Sequence, residues 1–245
     1  MQQLNLKNKS RFINNFLSPV GKLTENTVIK VRKNEYNTLS SSADGTLIVN
    51  CSIDQDNEID DTIFLNIPDI NKLIKVLSCI PDEDILLKFN NNNIEYKSGS
   101  VGFKYHLLED GIIDAPSVDI NKIKKIDFPF RFTVNDNSIN QLVKGSTFTT
   151  DTNKIYFSTE EGKVLATLTD HQRHNVDSYT QELAGEYTGE SLATPLALSF
   201  ETIRIISSMR FDSLKVNVNP DLNVFLFQID TDNTKITVVS SGYVG

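Results

Sequence analysis

The chain has 245 residues and contains no tryptophan, two cysteines, two methionines and three histidines. Cys51 and Cys79 are too few for a disulfide framework and lack the C-x-x-C spacing of a zinc or redox site, so a reducing, cytoplasmic setting is expected. No stretch approaches the ~18–20 continuous apolar residues of a membrane-spanning helix. The opening MQQLNLKNKSRFINNFLSPV carries Lys7, Lys9 and Arg11 but neither an apolar core nor a small-residue cleavage site, so export is not expected. The dinucleotide-fold, P-loop, nucleophile-elbow and HExxH signatures are all absent. No catalytic residue, cofactor or metal ion is therefore expected. Positive charge is also in short supply. Lys and Arg number 24 against 32 Asp and Glu, a net −8 with a pI near 4.9, whereas proteins that grip nucleic acid by charge are usually basic.

What is present is the balance of a folded chain, 39% apolar and 23% charged, at a length that suits two domains or one large β domain. Most of it reads as short β segments: 27–31, 46–51, 85–89, 101–107, 154–158, 164–169, 213–218, 224–229 and 235–239. These alternate apolar and polar residues, or run briefly apolar, between turns such as Asp44-Gly45, Glu161-Gly162 and Asn219-Pro220. Four segments switch to a helical period: 10–18, 68–79, 138–146 and 199–209. Phe12, Ile13, Phe16 and Leu17 form the first stripe; Ile70, Leu73, Ile74 and Leu77 the second; Ile139, Leu142 and Val143 the third; Thr202, Ile205, Ile206 and Met209 the fourth. Each is about two to three turns long and needs another surface to lie on.

A short strand precedes each helix and about three follow, so the chain is four successive β-α-β-β-β units near 1–62, 63–109, 128–193 and 194–245. Repetition at roughly 50–65 residues implies a duplicated supersecondary unit buried by its neighbours. Domains are expected at 1–109 and 128–245, joined by a linker at 110–127 that contains Gly111 and Pro116 and changes from acidic to Lys-rich.

The negative total conceals a segregation. Residues 1–24 contain Lys7, Lys9, Arg11 and Lys22 and no acid, a local charge of +4. Lys72 and Lys75, then Lys144, then Arg204 lie opposite the apolar stripes of the other helices, with Arg210 just beyond the last. Acid collects at 54–61, 82–84 and 109–119. Cations on one face can hold phosphate oxygens without reading bases. The 54–61 run, DQDNEIDD, has the acid density of a calcium loop but carries Ile59 where the glycine belongs and Leu65 where the glutamate belongs, so a solvated turn is expected. In the HQRH run, His171 and His174 lack a metal-ligand pattern, so metal binding is not expected, and a flexible loop that carries Arg173 near nucleic acid is an equally open reading.

Four β-α-β-β-β units paired across a central linker resemble the ring-shaped DNA sliding clamps, the tailed-phage replication clamps and proliferating cell nuclear antigen above all. The segment 39–49, LSSSADGTLIV, looks like the third and fourth strands of the first unit of such clamps; 67–89 looks like their second helix and following strand; 112–119 sits where their connecting loop belongs. The resemblance covers nearly the whole chain but rests on order and spacing. It implies an α+β fold of two similar domains, with antiparallel sheets outside and helices inside, and a closed homotrimer around duplex DNA. It further implies a non-enzymatic processivity factor that tethers the replicative DNA polymerase, is loaded by an ATP-dependent clamp loader and, in its phage branch, serves viral DNA replication and transcription.

Carried over by position, the DNA-facing residues would be Lys7, Lys9, Arg11, Lys72, Lys75, Lys144, Arg173, Arg204 and Arg210. A partner-peptide pocket would be lined by Leu39, Thr46, Leu47, Ile112 and Ile113, with Val239 and Tyr243 from the C-terminal end. Strand addition would close the ring, pairing Gly102, Phe103, Tyr105 and Leu107 of one subunit with Val164, Ala166 and Leu168 of the next. Two other readings fit parts of the pattern: an acidic β-rich structural or adhesion module of a phage, which leaves the basic helices unexplained, and a monomeric clamp-like processivity factor.

Overall fold

A computed structural model describes residues 2–231 and 233–243. The helical and β periods of the sequence resolve into four units of the expected order. The first comprises β1 (Gln2–Leu6), a helical stretch, β2 (Thr27–Arg32), β3 (Glu35–Ser41) and β4 (Leu47–Asp54). The second comprises β5 (Ile63–Ile67), a helix, β6 (Ile85–Asn90), β7 (Asn93–Ser98) and β8 (Val101–His106). After the linker come β9 (Phe130–Val134), a helix, β10 (Lys154–Glu160), β11 (Lys163–Leu168) and β12 (Tyr179–Ala184). The last unit is β13 (Leu196–Ser199), a helix, β14 (Leu214–Asn219), β15 (Val224–Thr231) and β16 (Thr234–Ser241). The chain folds as two compact bodies. One runs to Val118 and includes Thr231–Ile236; the other comprises Asp119–Asp230 and the chain from Thr237.

Within each body the two units exchange their first strands. β1 pairs with β6 and β5 with β2, all antiparallel, giving layers β1-β6-β7-β8 and β5-β2-β3-β4. The second body repeats the device: β13 pairs with β10 and β9 with β14. Neither unit of a pair can complete a sheet alone, which is what the internal repeat demands.

Local signals account for the helices. The first helical stretch is α1 (Lys9–Arg11), a π-helical turn over Phe12–Leu17, and α2 (Ser18–Leu23). It is longer than the expected 10–18. The wide turn, in which Ser18 N–H donates to Ile13 O, buries Phe12, Ile13, Phe16 and Leu17 together and ends directly before Pro19, which has no N–H to give. Asp69 Oδ1 accepts the Lys72 N–H at 2.8 Å to start α3 (Ile70–Ser78), which buries Ile70, Leu73 and Leu77. Gly21 lets α2 approach α3, since a Cβ there would stand 3.1 Å from Ile70 Cγ2. The linker forms one helical turn, α4 (Ile120–Ile123). Asn135 caps α5 (Asp136–Gly145), and Ser199 caps α6 (Phe200–Ile206).

The acidic run after β4 is more than a solvated turn. Gln55, Asn57 and Ile59 are buried, while Asp54, Asp56, Glu58 and Asp60 face solvent. The buried amides seal the free edge of β1. Asn57 Oδ1 accepts the Asn5 N–H at 3.0 Å and the Tyr36 hydroxyl at 3.1 Å; Gln55 accepts the Lys7 N–H and donates to the Lys7 carbonyl, both at 2.9 Å. A sheet edge left unpaired is an aggregation template, and this loop removes it with side chains. At the opposite margins of the two four-stranded layers, β8 and β12 have an unpaired side among the described residues.

Candidate nucleic-acid interface

The first body holds a group of uncompensated cations. Lys22 on α2 and Lys72 and Lys75 on α3 are exposed, and these two helices pack together. No acid lies within either helix, Asp69 being the cap that precedes α3. Lys7 is exposed and Arg11 half-buried; both line a cavity of about 430 Å³ whose other wall includes Asp54 and Asp56, so their charge is partly balanced there.

Lys9 does not join them. It is 4% exposed, and its ammonium donates to the Ile80 carbonyl at the end of α3. Its alkyl stem fills space beneath the first helix and its charge is spent on a carbonyl, so the expectation that Lys9 faces DNA is corrected. The adjoining acidic turn has a structural role as well. Glu83 accepts from the Ser10 N–H at 2.9 Å and the Ser10 hydroxyl at 2.6 Å, and Asp84 accepts the Asn8 N–H at 2.9 Å. The Ser10 bonds hold the Glu83 carboxyl below its ordinary range.

In the second body the cations are more nearly balanced. Lys144 is exposed in the last turn of α5, where it complements the helix dipole, but Asp136 sits in the first turn. Arg204 is exposed, yet its guanidinium is 3.2 Å from Glu201 and 5.0 Å from the Phe200 ring centre. Arg173, in an exposed turn, donates to the Asp151 carbonyl at 3.2 Å, and Arg210 is exposed beyond α6. The positive surface therefore belongs mainly to the first body. Lys22 is part of it, although the sequence did not single it out as DNA-facing; the absence of acid from residues 1–24 was the signal.

Of the pocket residues in the first body, Leu39 and Ile113 meet across a cavity of about 40 Å³ with Asp114 and Pro116. Ile112 beside them is 63% exposed. Thr46 is bound into its turn, donating to Asp44, and Leu47 is buried on β4. Bonds from Ser42 and Thr46 lower the affinity of the Asp44 carboxylate for a proton. Val239 and Tyr243 belong to the second body: Val239 is buried, and Tyr243 lies by Lys154, whose Nζ is 5.7 Å from its ring centre.

The expected subunit strands divide. Gly102, Phe103 and Tyr105 lie on the open strand β8, with Leu107 just after it. Val164, Ala166 and Leu168 do not lie on an edge. They are at most 1% exposed on β11, which is bonded to β10 on one side and β12 on the other. It has a strand on each side, so it cannot accept a further one, and the open strand of that sheet is β12. The helix-facing side of β12 is fixed by Gln181, which donates to the Ser138 carbonyl at 3.0 Å, and by Tyr179, whose ring covers Gly145. On β8 the Tyr105 hydroxyl marks the same side, donating to the Asp69 carbonyl at 2.6 Å. Among the described residues no group of three or more His, Cys, Asp or Glu converges as metal ligands would, and no helix is long and apolar enough to cross a membrane.

No family model and no curated protein sequence matches this chain. Solved structures do. A chain of the structure of the C-terminal region of FEN-1 bound to A. fulgidus PCNA superposes with a TM-score of 0.77 at 12% identity, over 100% of this chain and 99% of that one. Proliferating cellular nuclear antigen from Entamoeba histolytica gives 0.77 at 13% identity over 99% of both chains. A PCNA2–PCNA3 complex from Sulfolobus tokodaii gives 0.74 at 12% identity over 98% of both. The fold is that of the PCNA sliding clamps from end to end.

Proposed function

We propose that this chain is a non-enzymatic DNA sliding clamp, three copies of which close into a ring around duplex DNA. The observation that carries the reading is the full-length fold likeness, and the two unlike open strands give it a physical route. An interface between β8 of one copy and β12 of the next is head-to-tail, and such an interface generates a closed ring whenever its rotation closes. Lys7, Arg11, Lys22, Lys72, Lys75, Lys144, Arg173, Arg204 and Arg210 would meet phosphates without reading sequence. Such contacts are weak and salt-sensitive, which a ring tolerates because topology retains it on the duplex.

In this reading the clamp tethers the replicative DNA polymerase in the cytoplasm and is placed on DNA by an ATP-dependent loader. A partner peptide would set apolar anchors beside Leu39 and Ile113, with Ile112, Thr46 and Leu47 as the remaining lining in the first body. The solved likeness that includes a bound FEN-1 segment supports a peptide-docking role for this fold. Light scattering after gel filtration tests the assembly. The reading requires a mass three times the 27.5 kDa of the chain, and a monomer at all concentrations overturns it.

A further inference from the structure

The two open strands carry matching charge on matching faces. On β8, Lys104 points away from the helices and its ammonium lies 3.2 Å from Glu95 on β7. On β12, Glu182 also points away from the helices and lies 2.9 Å from Lys163 on β11, whose ammonium it holds more firmly protonated. Each edge thus ends in an exposed charge backed by its opposite, Lys104 outermost on one and Glu182 outermost on the other. The four side chains are a third to a half exposed, and neither pair is needed to fill a core.

Resting on the clamp reading, we propose that a second copy of this chain docks so that Glu95 and Lys104 of one copy and Glu182 and Lys163 of the next form one alternating row across the seam, making ring closure salt-sensitive. The antiparallel register that sets Lys104 opposite Glu182 also sets Tyr105 opposite Gln181 on the helix side, while Leu183 stands at a β-bulge that ends the regular part of β12. A slip of two residues either way brings Lys104 against Thr180 or Ala184, neither of which is charged. The row therefore selects register as well as partner, as opposite charges facing each other across strands do. Because the outer pairs are solvated, each is worth little alone and is screened by salt. A ring multiplies that small term by its three seams.

The test is sedimentation of Lys104→Glu, Glu182→Lys and the double exchange, in low and high salt. Each single variant sets like charges across the seam, and the assembly midpoint is expected to rise about 5-fold per seam, roughly 100-fold for three. The double exchange restores the opposition and is expected to assemble better than either single. In wild type the midpoint is expected to rise with salt. If the double shows the full sum of the two single losses, or the singles assemble as wild type does, the row is overturned while the clamp reading stands. A wild type that never assembles overturns both. Circular dichroism matching wild type confirms that losses arise at the seam.

Discussion

The Tyr105 hydroxyl donates to the Asp69 carbonyl at 2.6 Å, and the Asp69 N–H donates back to that hydroxyl at 3.2 Å. One residue stands on the open strand β8, the other caps α3, so the outermost strand of the first body is tied to a helix that bears Lys72 and Lys75. Tyr105→Phe removes both bonds without changing packing volume. It is expected to cost about 1 kcal/mol, since a part-buried N–H and carbonyl lose their partner. Urea denaturation of the two proteins checks this.

Burial raises the Tyr105 hydroxyl to about 12 from an ordinary 10.0, and burial pushes Tyr36 and the Cys51 thiol up as well. All three favour the neutral form in the folded chain, so their contribution is complete below the unfolded values and is lost as pH rises. Stability is expected to fall between about pH 10 and 12 through Tyr105. Tyr105→Phe should show a shallower alkaline decline over that window; an unchanged slope would contradict the assignment.

Asn57 is 1% exposed and holds three groups at once: the Asn5 N–H, the Tyr36 hydroxyl and, through its own amide, the Arg32 carbonyl at 3.1 Å. Asn57→Ala removes the side-chain partner of the Asn5 N–H and of the Arg32 carbonyl, while the Tyr36 hydroxyl keeps the Asn5 carbonyl at 3.0 Å. A loss of about 2 kcal/mol is expected, together with self-association through the exposed edge of β1. Thermal denaturation combined with static light scattering reads both.

Gly145 ends α5 beneath the Tyr179 ring, with no room for a Cβ. Gly145→Leu displaces Tyr179 and with it the start of β12. The expected cost is about 1–3 kcal/mol, with a larger loss of assembly than of monomer stability. Equal losses in both would indicate that β12 is not part of the seam.

Cations differ sharply by position. Reversing Lys72 and Lys75 is expected to lower the slope of log affinity against log salt by about 0.9 for each phosphate that is no longer neutralised. Lys9→Met is expected to leave that slope unchanged, because its ammonium is bound to the Ile80 carbonyl. Salt titrations of DNA binding distinguish the two.

The order of elements was legible because the period of hydrophobicity changes four times, and the stripes at Ile70, Leu73 and Leu77 or Ile139 and Leu142 are buried as their spacing requires. What escaped depends on partners distant in the chain. Lys9 looks like any solvent-facing lysine until the carbonyl 71 residues away is in view. Gln55 and Asn57 vanish among carboxylates, although they alone in that run have both donors and acceptors for a strand edge. The strand β12 is half polar and follows the polar HQRH loop, and the edge carried over by position fell one strand early, on β11, whose apolar alternation is the mark of an interior strand. The cation groups were legible as charge, but the neutralisation of Arg204 by Glu201 is a matter of rotamer and distance.

A ring holds DNA by topology, and retention on DNA tests that most directly. After loading on nicked circular plasmid, half of each sample is linearised and the bound protein measured through gel filtration at elevated salt. The clamp reading predicts that protein stays with the circle and is lost from the linear ends. Equal retention on both forms, or none on the circle, would contradict it.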